Sequence, residues 1–226
     1  MHVNTAILFF TRTPAIEKYH KRVHQCDRDN QRLISRLYRH TQSILRRQSL
    51  PVIELNENQQ HGNSFGERLT NAILYVFDRG FDRLIVVGSD CPLLKVADLR
   101  RASRLLDHGQ QVLGHTRDGG AYLIGLRKKN FCPRQFRELP WTTAQLGQAL
   151  EHYLRHAGET SLLPETWDLD DMAGLKSLLG RHFIASVLKI FLNLLKQSVP
   201  GGVIYPVRLK APQCWICFFR GPPARS

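Results

Sequence analysis

The sequence predicts an α/β domain with a mostly parallel sheet covered by helices on both faces. Two observations carry that prediction. Short apolar runs, such as residues 6–10 (Ala-Ile-Leu-Phe-Phe) and residues 83–88 (Arg-Leu-Ile-Val-Val-Gly), lack a polar face, as expected of strands buried on both sides. Between such runs lie helix-length stretches with an apolar side, and strands that alternate with helices argue for parallel crossovers.

Taken in order, residues 6–10 form the first strand, and Thr11-Arg12-Thr13-Pro14 leave it as a loop. A long polar helical stretch follows to about Gln48, with Leu33, Leu37, Ile44 and Leu45 on its apolar side. Residues 51–55 read as a second strand. Ser64 is placed to cap a helix running to Asp78, with Leu69, Ile73, Val76 and Phe77 facing inward. Gly80 ends it, and residues 83–88 are the clearest strand in the chain. Residues 96–108 read as helix closed by Gly109, residues 111–114 and 121–126 as strands about an Asp118-Gly119-Gly120 turn, residues 143–156 as helix and residues 160–163 as a last strand. Beyond it, residues 183–195 put Ile184, Leu188, Phe191 and Leu195 on one helical face, and prolines then break the pattern. The expected organisation is a domain over residues 1–180 and a basic C-terminal helix with an irregular tail over residues 181–226.

With 42% hydrophobic and 23% charged residues the composition is that of an ordinary globular protein, but the formal net charge is +13. Residues 12–47 carry +7 and residues 181–226 another +7, which leaves the middle nearly balanced. Basic ends attract phosphates, nucleic acid or anionic surfaces, or are simply solvated helix faces. No nucleic-acid motif accompanies them, so no specific nucleic-acid partner is predicted. Five scattered cysteines give no disulfide framework, and Cys214-x-x-Cys217 is half of a zinc site at most. No signal peptide or transmembrane run is legible, so a cytoplasmic protein is expected.

Asp90, in Gly88-Ser89-Asp90-Cys91-Pro92, follows the clearest strand directly. Ligands of open parallel sheets gather beyond the carboxyl ends of the strands. An Asp there can hold a divalent cation that neutralises a diphosphate, or it can cap the next helix. Gly119 and Gly120 allow a close backbone approach or a tight turn. Asp168 and Asp170 fall on the same side of an extended segment, a spacing that grips one metal ion, or they enrich a helix N-terminus in acids.

The ordered series Gly-Ser-Asp-Cys-Pro-Leu-Leu (88–94), Val-Leu-Gly (112–114), Asp-Gly-Gly-Ala-Tyr-Leu-Ile-Gly-Leu (118–126), Pro-Trp-Thr-Thr (140–143) and Trp-Asp-Leu-Asp-Asp (167–171) resembles the DUF2064 family. That family sits within the nucleotide-diphospho-sugar transferase superfamily, alongside glycosyltransferase-A enzymes and small nucleotidyltransferases. The resemblance covers about residues 4–180. It implies a three-layer Rossmann-like sheet, a nucleotide over the first loop, and Mg2+ or Mn2+ held by Asp90, Asp168 and Asp170. It also implies a catalytic role for Asp90 and Asp118, and nucleotide contacts from Gly66, Glu67 and Arg68. The chain departs from the family at the first loop, where residues 13–22 contain no glycine, so Arg12, Lys18, Lys21 and Arg22 would have to bind phosphates through side chains. His115 stands where the family commonly has proline. Gly119, Gly120 and Trp141 are expected to line the acceptor side.

The expectation is therefore a metal-dependent nucleotidyl- or glycosyltransferase acting on a nucleotide or nucleotide-sugar and a small-molecule acceptor. A nucleotide-binding protein of the same fold without turnover, or an adaptor using the basic ends, are the alternatives.

Overall fold

The computed structural model describes residues 4–22 and 26–166. Asp168, Asp170, the helix expected at residues 183–195, the basic tail and the Cys214/Cys217 pair all lie outside the described residues. Within them the chain runs β1 (Thr5–Phe10), α1 (Pro14–His20), α2 (Asp27–Arg46), β2 (Val52–Leu55), α3 (Phe65–Phe77), β3 (Arg83–Val87), α4 (Val96–Asp107), β4 (Gln111–Thr116), β5 (Ala121–Arg127), a single 3-10 turn, α5 (Pro133–Arg137), α6 (Leu146–Ala157) and β6 (Thr160–Thr166).

The strands form one sheet in the order β2-β1-β3-β5-β4-β6. β1 pairs in parallel with β2 and β3, and β4 with β6, while β5 is antiparallel to both of its neighbours. The mostly parallel α/β sheet is thus as expected, with β5 as its one reversed strand. β4 turns into β5 through residues 117–120, far too few for the crossover that a parallel connection needs.

Alternation along β1 and β3 divides the interior into two layers. Ala6, Leu8, Phe10, Leu84 and Val86 pack with α3, α5 and α6 on one face. Ile7, Phe9, Ile85 and Val87 pack with α2 and α4 on the other. Because both faces are covered, every residue of β1 is buried.

α3 begins as its sequence predicts. The Ser64 hydroxyl accepts a hydrogen bond from the Glu67 N–H, and the Glu67 carboxylate accepts one from the Asn63 N–H at 2.7 Å. Ser64→Ala is expected to cost about 1 kcal/mol in urea unfolding.

One element differs from expectation. The single long polar helix is two helices, because Lys21 leaves α1 with an extended backbone (φ −129°). Its carbonyl accepts a bond from the buried Asn30 amide of α2 at 2.9 Å, and its ammonium turns to Asp90. The acids Asp27 and Asp29 then open α2, where they suit the positive end of the helix.

Candidate functional site

With β1, β2 and β3 parallel, the loops that follow them emerge at one edge of the sheet. The β4–β5 turn and the end of β6 reach the same edge, since β4 and β6 run parallel to β3 and β5 runs against it. The topology therefore gathers Thr11–Thr13, Glu57, Ser89–Asp90 and the 118–120 turn along one rim, and the N-terminus of α3 joins them.

Asp90 lies at the centre of this rim and is 7% exposed. It does not cap α4, whose N-cap is Lys95. Its Oδ2 accepts from the Lys21 ammonium at 3.2 Å, in an ion pair whose two side chains are both about nine-tenths buried. Its Oδ1 is buried with no hydrogen-bond partner among the described residues. A buried acceptor without a partner is costly and rare, and it marks a position where a donor or cation would be stabilised.

Around this pair the first loop is tied in several directions. Arg12 reaches Glu17 at 3.2 Å. Burial pushes the Glu17 carboxyl up, Arg12 and Lys21 draw it back, and the Asp90 charge raises it again. Thr11 donates to the Ser89 hydroxyl at 3.0 Å, and the Gln60 amide donates to the Thr11 carbonyl at 2.8 Å. Half-buried Arg68 is lowered by burial and by the neighbouring charge of Arg12. His20 is likewise held low by burial and then by Arg12 and Arg68. Arg12 and Arg68 thus project like charge into one region, a field that favours an anion.

Glu57 joins the loops after β1 and β2. Its carboxylate accepts from the Thr13 N–H at 2.7 Å and from the Thr13 hydroxyl at 2.6 Å. Burial alone would raise its carboxyl, but the two Thr13 bonds, its own backbone N–H and the Arg12 charge together hold it below the ordinary value of 4.5. A carboxyl depressed in the fold adds stability above its unfolded pKa and loses it as pH falls through the folded value. Glu57→Gln is expected to cost about 1 kcal/mol at neutral pH. Its melting temperature should converge on that of the parent as the buffer is acidified below pH 4.5.

The remaining predicted residues are placed as follows. Lys18 lies against the Tyr19 ring and Gln31, and Arg22 pairs with Asp27 at 3.3 Å on an exposed surface, so neither joins Arg12 and Arg68. Gly66 packs under the 137–141 segment, where a Cβ would stand 2.3 Å from the Arg137 carbonyl oxygen and 2.6 Å from Trp141. Trp141 is 7% exposed, donates its indole N–H to the Phe136 carbonyl at 2.8 Å and stacks among Phe65 and Phe136. It supports α3 from within the core and does not line the rim. Asp118 accepts from the Thr116 hydroxyl at 2.6 Å and the Gly120 N–H at 3.3 Å, which shapes the turn. Gly119 sits at φ +89° against the start of α6, its carbonyl accepting from the Gly147 N–H at 2.8 Å. His115 binds Glu151 of α6 at 2.8 Å. Among the described residues no three His, Cys, Asp or Glu side chains converge on a metal position.

Sequence reasoning missed Glu17, Glu57, His20 and Thr142. Glu57 meets its partner 44 residues away, and local spacing carries no signal for that. Thr142 adopts φ +83°, which is strained for a β-branched residue, beside the Ala144 carbonyl that closes on Gly119.

The sequence profile described as "Uncharacterized protein conserved in bacteria (DUF2064)" matches residues 24–143, more than half of the chain. The chain belongs to the DUF2064 family. The DUF2064 match begins after β1 and the glycine-free first loop, and it includes Asp90 and the 118–120 turn. Among solved structures the chain is similar to a protein from Desulfovibrio desulfuricans G20 provisionally named a nucleotide-diphospho-sugar transferase. The two share 25% identity over 86% of this chain and 97% of that one, with a TM-score of 0.73. More distant likenesses are the Rv0371c homologue from Mycobacterium sp. strain JC1 (12% identity, 84% of this chain and 100% of that one, TM-score 0.46) and Rv0371c from Mycobacterium tuberculosis H37Rv in complex with manganese (13%, 78% and 98%, TM-score 0.40). No curated protein matches the chain by sequence. Among the described residues no helix is long and apolar enough to cross a membrane.

Proposed function

We propose that this DUF2064 protein is a nucleotide-binding transferase that takes a nucleoside triphosphate or nucleotide-sugar at the rim beyond β1, β2 and β3. The observation that carries the reading is the buried Asp90 carboxylate, whose Oδ1 has no partner among the described residues, next to a first loop and an α3 terminus that present Arg12 and Arg68. The name given to the Desulfovibrio protein supports the same reading.

In this reading Arg12 and Arg68 hold the phosphates through charge-assisted bonds. Glu17 orients Arg12, and Glu57 fixes the loop that carries it. The unused Asp90 oxygen suits a divalent cation, Mg2+ or Mn2+, and Asp168 or Asp170 beyond β6 would complete the ligand set. When bound, the cation would neutralise charge on the diphosphate leaving group. Lys21 keeps Asp90 compensated without nucleotide and lies close enough to contribute positive charge to the phosphates. Asp118 acts as a positioning residue that shapes the turn facing the acceptor. No general base is assigned, and a phosphate or carboxylate acceptor would need none.

A second reading, binding without turnover, is favoured by one specific observation: an ammonium already occupies one oxygen of Asp90. The two readings separate on product formation, while both require a nucleotide site.

A thermal-shift panel of nucleotides and nucleotide-sugars, run with Mg2+, Mn2+ or a chelator, tests the shared claim. A true ligand at a hundredfold excess over its Kd stabilises by about 2.7 kcal/mol, or several degrees for a chain of this size. The shift should need the metal and should vanish in Asp90→Asn when each protein is compared with its own ligand-free melting point. A panel in which nothing stabilises the protein rules the reading out.

A further inference from the structure

On the α2/α4 face, away from the rim, a groove of about 850 Å3 is lined by Arg46, Arg47, Arg100 and Arg104 together with Gln48, Ser49, Ser103 and the apolar floor of Leu50 and Leu99. Residues 46–50 close α2 and lead toward β2, and the other lining residues lie on α4, so the groove runs between these two helices. We propose that it is a second anion site, for a ligand carrying two or more phosphate groups.

The charge in this groove is left uncompensated. Seven arginines, Arg12 and Arg83 among them, each have a carboxylate within ion-pair distance. Others, such as Arg28 and Arg39, have none among the described residues but stand on exposed helix surface, whereas here four line one cavity. The four that line the groove have none among the described residues, and no acidic residue lines it. Gathering four guanidiniums without a counter-charge is unfavourable in the free protein, and a multivalent anion relieves that repulsion. The negative end of α2 accounts for Arg46 and Arg47 at its C-terminus, but not for Arg100 and Arg104. Those two are one turn apart on α4 and so project from the same helix face. Arginine forks pair two N–H donors with two phosphate oxygens, and the serine hydroxyls supply further donors.

The lining also narrows the ligand. It contains no aromatic side chain on which bases would stack, as sequence-tolerant single-strand binding requires. The exposed apolar side chain there, Ala97, is too short to insert into a bilayer. A compact oligophosphate, free or as a multiply phosphorylated headgroup, fits this chemistry. The site is independent of the nucleotide reading, since none of its residues belongs to the rim.

The test uses the full chain with a chelator present at about 150 mM salt. Inorganic tripolyphosphate is titrated by calorimetry into the parent, Arg100→Gln/Arg104→Gln and Arg12→Ala. Glutamine keeps the helix propensity of arginine, so α4 should stay folded, which an unchanged melting temperature would verify. The parent is expected to bind, and the α4 double variant to bind about tenfold more weakly or to lose one class of sites. Arg12→Ala should retain that class. A second arm measures binding to phosphatidylcholine vesicles with and without phosphatidylinositol 4,5-bisphosphate. Binding to the bisphosphate vesicles alone, lost in the double variant, keeps the site and names the headgroup as its source. The proposal is overturned if neither probe binds, if the double variant binds like the parent, or if only a single-stranded RNA oligonucleotide binds.

Discussion

Asp90→Ala is expected to lower the unfolding free energy by about 3 kcal/mol, because it removes a carboxylate that lies 3.2 Å from a buried ammonium. The Lys21 side chain is only 6% exposed and sits 3.2 Å from Asp90 Oδ2. Deleting the carboxylate leaves that charge in a poorly solvated position, with its carbonyl still clamped by Asn30. Two further variants separate this cause from general damage. Lys21→Met should also destabilise, because it removes the ammonium paired with the buried Asp90 carboxylate. Lys21→Met combined with Asp90→Ala should recover part of the loss, because removing both partners leaves neither charge buried. Urea unfolding of the four proteins gives a coupling energy that is nonzero if the pair is buried as described, and near zero if each side chain reaches water alone. The same experiment bears on function. A site whose stability depends on a lysine pairing with its central acid is one in which added cations and phosphates compete for both partners.

Gly119→Ala is the second large effect, at about 3 kcal/mol or more, from two causes that act together. The residue has φ +89°, where an L side chain is strained. A Cβ there would also stand 2.2 Å from the Ala144 carbonyl oxygen, which belongs to backbone and cannot rotate away. Relief by shifting residues 142–146 would break the Gly147 N–H bond to the Gly119 carbonyl and disturb the start of α6. Gly80→Ala serves as the control. Gly80 shares a positive φ of +90° but has nothing within 4 Å of the added Cβ, so it carries the conformational cost alone, about 1 kcal/mol. Equal losses at the two positions would show that the contact with α6 contributes nothing.

These two sites also show what the amino-acid order discloses. β1 and β3 are legible because strands buried on both faces must be apolar throughout, and residues 6–10 and 84–87 are. Ser64 and Glu67 are legible because a capping box is a local arrangement within four residues. The turn at 118–120 is legible as a turn, and its shortness already requires β5 to run against β4. Reversal of β5 within an otherwise parallel sheet therefore follows from loop length and needs no further signal. The break between α1 and α2 is different. No proline or glycine falls in residues 21–26, and the chain leaves the helix at Lys21 for a partner 69 residues away. Periodicity cannot report such a cause.

The candidate site divides the same way. Asp90 is marked by its place after the clearest strand and Arg12 by the loop that carries it, whereas Arg68, in the first turn of α3, comes from the family resemblance alone. Trp141 and Gly66 are expected at the site because they fall in segments that resemble the family's. In the structure they suit each other, since the indole packs where a Gly66 side chain would be. Glu17 and Glu57 carry no signal at all, because an acid that orients a distant loop is indistinguishable from a solvated one until the loops meet.

The central claim is that the rim around Asp90 takes a nucleotide. Its most direct test is amide chemical-shift mapping of the full chain on titration with the nucleoside triphosphate or nucleotide-sugar that stabilises it best, in the presence of Mg2+. The account predicts that the largest perturbations fall on residues 11–13, 66–68 and 89–90 and disappear when the metal is chelated. Perturbations confined to α4 and the end of α2, or none anywhere, would contradict it.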